Sequence, residues 1–264
     1  FLLNASFFIL ACGGIENSRL LLWAKKINKD LFNIKLPIGE YYMHHPYFFI
    51  GQGIVNYKKL NSYFEKNRII NAPIITCENN LFVEANNIFL QNKQILNSGI
   101  YINFKETENN DFVKQLRCMA PKFVKKLYDD NNANEVYEVE IQTLQEQKSL
   151  KKNCIKLTKD TDPNGIPLAK LFWKKDRSEI NNTRIIIEEL AKLFIKEDIG
   201  RLALAEHLYN PEIKYDFISG NHQMGGTRIG NSEEDSVVDK NLKVHGIENL
   251  FVSGSSVFRS SGHC

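Results

Sequence analysis

The sequence predicts a mixed α/β and α+β fold, in which an α/β domain is interrupted by an antiparallel sheet. Three observations predict it. Near the start, the apolar run Phe7–Cys12 leads through Gly13-Gly14 into a segment of helical period. Near the end, Asn249–Val252 is a second short apolar run, and it enters Gly254-Ser-Ser256. Between them the texture changes to period-two alternation, with polar residues facing out.

Taken in order, Phe7–Cys12 is continuously apolar, as expected of a strand buried on both faces. Ile15–Lys26 follows as a helix. Leu20, Leu21, Trp23 and Ala24 line one face, and Lys25 and Lys26 stand in the last turn, where the helix dipole favours cations. Tyr41–Phe49 reads as a strand around His45-Pro46. Gly99–Phe104 and Tyr137–Thr143 alternate cleanly, as strands with one wet face do. Asp111–Tyr128 has helical spacing, bent or divided by Pro121, and Asp129–Asn132 is a polar loop. Asp162-Pro-Asn-Gly165 is a turn, because proline sets φ and glycine accepts positive φ. Ser178–Glu197 carries the strongest helical period, and Gly200 is expected to stop it. Ser219–Gly230 is a polar, glycine-rich loop.

Composition narrows the function classes. The 264 residues carry 34 Lys and Arg against 31 Asp and Glu, for a net charge of +3. These charges are interspersed, which suits a solvated mixed surface and not a nucleic-acid footprint. The cysteines (Cys12, Cys77, Cys118, Cys154 and Cys264) are odd in number and lack CxxC spacing. A disulfide framework or zinc site is therefore not expected, and a reducing, cytoplasmic setting is the simpler one. Phe1–Cys12 is too short to span a bilayer and lacks the basic residues of a signal peptide.

Two glycine turns at strand ends permit close approach of a ligand to the backbone, and both belong in one dinucleotide-binding sheet. His222 lies in Gly220-Asn-His-Gln-Met-Gly-Gly-Thr-Arg228, a loop whose glycine and polar content argues against a core position. A histidine there can exchange a proton near neutral pH. His44 and His45 are adjacent and would face opposite sides of a strand, so they form no metal pair. His207 reads as a surface or packing residue, and His245 as a turn residue.

His222-Gln-Met-Gly-Gly-Thr-Arg-Ile-Gly230, Val237-Val-Asp239 and Val244–Phe258 follow in order. Together they resemble the C-terminal signature of the glucose–methanol–choline (GMC) flavoprotein oxidoreductases, and most of all their sugar dehydrogenase and pyranose oxidase branch. Ile9–Leu22 resembles the family segment that runs under the FAD. Ile38–Pro46 resembles its Gly…Met…His-Pro stretch, and Asp162–Pro167 a turn of its substrate domain.

The resemblance implies a partial FAD-binding Rossmann-like domain, residues 1–46 and 216–264, with an inserted antiparallel-sheet substrate domain, 47–215. It implies an FAD-dependent oxidoreductase acting on a CH–OH group of a small alcohol or sugar. His222 accepts the hydroxyl proton as hydride passes to flavin N5, and oxygen, a quinone or a redox protein then takes the electrons. It implies FAD contact at Ala11, Gly13, Gly254 and Ser255, while the cysteine spacing, charge pattern and apolar runs lead us to expect no metal, no nucleic acid and no membrane span. Two departures stand beside it. The family's G-x-G-x-x-G fingerprint precedes the matched segments, and Ser261-Gly-His-Cys264 ends one residue before the family's second polar group over the flavin. By register His263 is not that group. The alternative reading is a truncated, flavin-free and inactive fragment that serves at most as an interaction module.

Overall fold

The computed structural model describes residues 4–32, 35–67, 80–105, 118–122, 124–125, 136–174, 177–215, 218–219 and 221–262. Cys77, the Asp129–Asn132 loop, His263, Cys264 and most of the helix expected over Asp111–Tyr128 lie outside the described residues. The chain divides into two compact units. One comprises residues 1–45, 146–176 and 219–262, and the other 46–145 and 177–218.

In the first unit, strand β1 (Phe8–Leu10) is followed by helix α1 (Glu16–Ile27), and β1 pairs in parallel with the late strand β10 (Leu250–Val252). The strand at the start was expected to be buried on both faces. Instead Ile9 is 67% exposed and Phe8 38%, because among the described residues β10 is the only strand beside β1. The apolar core of the unit is small. It gathers Leu21, Phe32, Leu36 and Ile38 around Val237, Val238, Val244, Val252 and Val257.

Strands β6 (Cys154–Thr161) and β7 (Pro167–Phe172) form an antiparallel hairpin in the same unit. Its turn is the expected Asp162–Gly165, where Asp162 Oδ1 accepts from the Asn164 and Ile166 amides and Gly165 takes φ +76. The unit boundaries therefore differ from those read from the sequence, which put residues 146–176 with the inserted sheet. The hairpin joins α1 because Arg19 donates to Asp162 (2.7 Å) and to the Pro167 carbonyl (2.7 Å). That guanidinium holds the Asp162 carboxyl below the usual carboxylate range, helped by the two turn amides.

The second unit is an antiparallel sheet in the order β3 (Asn80–Val83), β4 (Ser98–Lys105), β5 (Val136–Gln145), β2 (Pro46–Asn56), β8 (Gly200–Leu204), with β9 (Ile218–Ser219) also beside β2. Strand β2 starts at Pro46, later than the strand expected around His45-Pro46. Helices α2 (Tyr57–Asn67), α3 (Asn87–Lys93) and α4 (Arg177–Lys196) belong to it as well. The period of α4 buries Ile180, Ile187, Leu190 and Phe194 in one cluster with Ile100, Ile102, Val139 and Ile141 of the sheet.

Gly200 does not stop α4. Asp198 takes the left-handed conformation (φ +51), and the Ile199 amide reaches back to the Phe194 carbonyl (2.9 Å). Gly200 is needed one step later, where a Cβ would stand 2.2 Å from the Ile54 carbonyl of β2. No helix of the described residues is long and apolar enough to cross a membrane.

Candidate active site

The expected ligand-facing glycines sit together at one edge of the first unit. β1 and β10 run parallel with Leu10 beside Val252, and the Ser253 amide donates to the Leu10 carbonyl (2.8 Å). Beyond that point both chains turn on glycine, Gly13 at φ +94 and Gly254 at φ +102. No atom of the described residues comes within 4 Å of a Cβ built on either one. Ala11, Gly13 and Gly254 are exposed and Ser255 is half-buried. In open α/β sheets, ligands bind outside the carboxyl ends of neighbouring parallel strands, which is where these turns stand. The Ser255 hydroxyl donates to the Gln223 carbonyl (2.6 Å), so this side chain holds the next loop in place.

That loop carries His222, and most of it is buried, against the expectation for so polar a stretch. Met224–Arg228 are buried, while Asn221 and His222 are exposed. Backbone bonds account for the burial. Met43 and Met224 exchange amide hydrogen bonds (2.8 and 3.0 Å), Gly225 and Thr227 donate to the Ser255 and Ser256 carbonyls, and Ile229 donates to that of Val257. The glycines permit the approach. A Cβ on Gly225, at φ +74, would meet the Tyr41 carbonyl at 2.2 Å, and one on Gly14 would meet the Gln223 carbonyl at 2.3 Å.

A buried polar node that sequence reasoning missed ties the glycine turns to this loop. Asn17, fully buried on α1, accepts from the Cys12 amide (2.9 Å) and donates to the Ser253 carbonyl (3.0 Å) and to Ser256 Oγ (2.9 Å). Ser256 Oγ also accepts from Thr227 Oγ1 (2.7 Å). The available signal was polar Asn17-Ser18 on the face of α1 that also buries Leu21, where apolar residues were expected. A second clamp is the Arg228 guanidinium, 3.3 Å from the centre of the Tyr41 ring, with Tyr41 itself in the left-handed region at φ +61.

The exposed His222 ring meets the buried His45 ring edge-to-face, with centroids 5.3 Å apart and planes at 88°. His44 points elsewhere. Its ring lies 5.4 Å from that of Trp173, and its amide donates to Gln147 Oε1 (2.9 Å), which also accepts from Trp173 Nε1 (2.7 Å). Burial pushes the His44 imidazole below the ordinary histidine range; the His45 carbonyl works against this and the charge of His222 adds to it. His207 is a packing residue, stacked on Tyr215 at 4.7 Å. His245 stands in a turn within hydrogen-bond reach of Ser236 Oγ (2.9 Å). Among the described residues no group of three or more His, Cys, Asp or Glu is placed to hold a metal ion.

Residues 149–264, which include the His222 loop and the Gly254 turn, match the family model described as GMC oxidoreductase. The chain is 25% identical over 273 residues to 2-methyl-1,2-propanediol dehydrogenase of Mycolicibacterium austroafricanum, a match that covers 98% of this chain and 45% of that enzyme. A solved FAD-dependent oxidoreductase from Chaetomium thermophilum shares the fold at a TM-score of 0.51 and 14% identity, over 97% of this chain and 52% of that one. A formate oxidase structure matches at a TM-score of 0.47 and 15% identity, over 98% of this chain and 51% of that one. The chain thus spans about half the length of the relatives it matches.

Proposed function

We propose that this chain forms the later part of an FAD-dependent oxidoreductase that oxidises a CH–OH group of a small alcohol or sugar, with His222 as the proton acceptor. One observation carries the proposal. His222 is the exposed tip of a loop whose following residues are locked to the same segment, Gly254–Val257, that forms one of the two open glycine turns. The relatives add the chemistry, since one is named as a diol dehydrogenase and another as FAD-dependent.

The residues fit a flavin. Gly13 and Gly254 leave open the volume their side chains would fill, so a planar group can lie against backbone at both strand ends. Ala11 adds a small exposed side chain beside Gly13, and Ser255 offers its backbone, its hydroxyl being held by Gln223. When bound, the flavin would supply the sink for the two electrons that leave the carbinol carbon. His222 would take the hydroxyl proton on a ring nitrogen, and the alkoxide left behind weakens the adjacent C–H bond. The loop's buried bonds hold its backbone still while this happens. Sugar or polyol is favoured by the likeness of the His222 loop.

The test is FAD binding followed by flavin fluorescence. Gly13→Val and Gly254→Val, checked for native circular dichroism, are expected to weaken binding by at least about tenfold, because each fills the open turn. Unchanged affinity in both would remove the strand-end glycines from the cofactor site.

A further inference from the structure

We propose that His45 is the positioning residue for His222, fixing the plane of the ring that takes the substrate proton; this rests on the reading of His222 as that acceptor. Three observations converge on it. The first is register. The antiparallel bridge joins Met43 to Met224, so two residues further along each strand His45 and His222 stand opposite one another on the same face. The second is local rigidity. His45 precedes Pro46, and the proline ring confines its backbone to extended conformations, so the bridge and the proline hold it from both sides. The third is the contact itself. The buried His45 ring, 2% exposed, meets the exposed His222 ring at 5.3 Å and 88°.

His222 has little else to orient it. Among the described residues no hydrogen bond reaches its ring, and no carboxylate is placed beside it as an orienting partner. An exposed imidazole without such a partner samples several rotamers, and a misplaced acceptor loses proton-transfer geometry. The face or edge of a fixed aromatic ring restricts those rotamers. The device needs an aromatic ring, not an imidazole, at position 45.

The experiment is side-chain NMR on histidine-labelled chain, which needs no turnover. In the unmodified chain, cross-relaxation between the His45 and His222 ring protons and restricted motion of the His222 ring are expected. In His45→Phe both features of His222 persist, and in His45→Ala the His222 protons move to free-imidazole positions and the ring becomes mobile. A freely moving His222 ring in the unmodified chain, or His222 signals untouched in a folded His45→Ala, overturns the proposal. Should His45→Ala not fold, the unmodified chain and His45→Phe decide. In the flavin-loaded protein, His45→Ala is expected to lower kcat by about 10- to 100-fold with KM unchanged. His45→Phe restores it, and equal kcat in all three contradicts positioning. The two readings fail separately. If His222→Ala turned over at the unmodified rate, the acceptor assignment would fall and His45 with it as a positioning residue, although the ring contact measured by NMR would stand.

Discussion

The two units hold themselves together by different means. In the second, α4 presses Ile180, Ile187, Leu190 and Phe194 onto Ile100, Ile102, Val139 and Ile141, and apolar area removed from water does most of the work. In the first, a small valine-rich cluster is supplemented by hydrogen bonds through Asn17, Ser256 and Thr227. Apolar packing tolerates volume-conserving substitution, whereas a satisfied polar node tolerates almost none. The exposed histidine and the open glycine turns all lie in the second kind of architecture. The proposed proton acceptor needs a backbone that does not drift, and the bonds from Met43 and Ser255–Val257 hold the loop that carries it.

Substitutions can break or sharpen this contrast, each followed by urea denaturation and by hydrogen exchange in its own unit. Phe194→Ala empties a fully buried ring site and is expected to cost about 3–5 kcal/mol, lowering amide protection across β2, β5 and α4. Gly225→Ala puts a Cβ against the Tyr41 carbonyl at positive φ and is expected to cost about 3 kcal/mol, with lost protection at Met224 and Thr227. Asn17→Ala strands the Cys12 amide and Ser256 Oγ and is expected to cost about 2 kcal/mol. A cost of a few tenths for either first-unit change would erase the difference between the units.

The smallest effect is on pH, and its sign is opposite in the two units. Burial depresses His44, so the folded first unit binds fewer protons than the unfolded chain below about pH 6.5, and its stability falls as pH is lowered through that region. Burial raises the Glu138 carboxyl, with Lys105 opposing, so the folded second unit binds more protons than the unfolded chain above about pH 4.3. Its stability is greatest below that value and declines as pH rises through the folded-state pKa. Glu138→Gln is therefore expected to raise neutral-pH stability by about 1 kcal/mol or less, since Glu138 Oε2 is buried without a partner. A decrease would contradict the assignment.

Much of this was legible in the residues. The two strand-to-glycine turns, α1, α4, the alternating strands β4 and β5 and the Asp162 hairpin turn all follow from period and turn chemistry. What was not legible depends on tertiary pairing. Nothing local shows that Met43 bridges Met224, so the meeting of His45 and His222 was invisible, and the adjacency of His44 and His45 spoke only against a metal pair. The His222 loop looked too polar to be buried because its burial is satisfied by backbone bonds from Met43 and Ser255–Val257, which composition does not display. Gly200 was taken for a helix stop, when its lack of a side chain serves β8 and Asp198 makes the turn.

The most direct measurement is the rate at which a small alcohol or sugar bleaches the flavin absorbance of His222→Ala compared with the unmodified flavin-loaded protein, by stopped flow. With His222 as proton acceptor, the rate falls by about 10²- to 10⁴-fold while FAD remains bound. Reduction at the unmodified rate would contradict it.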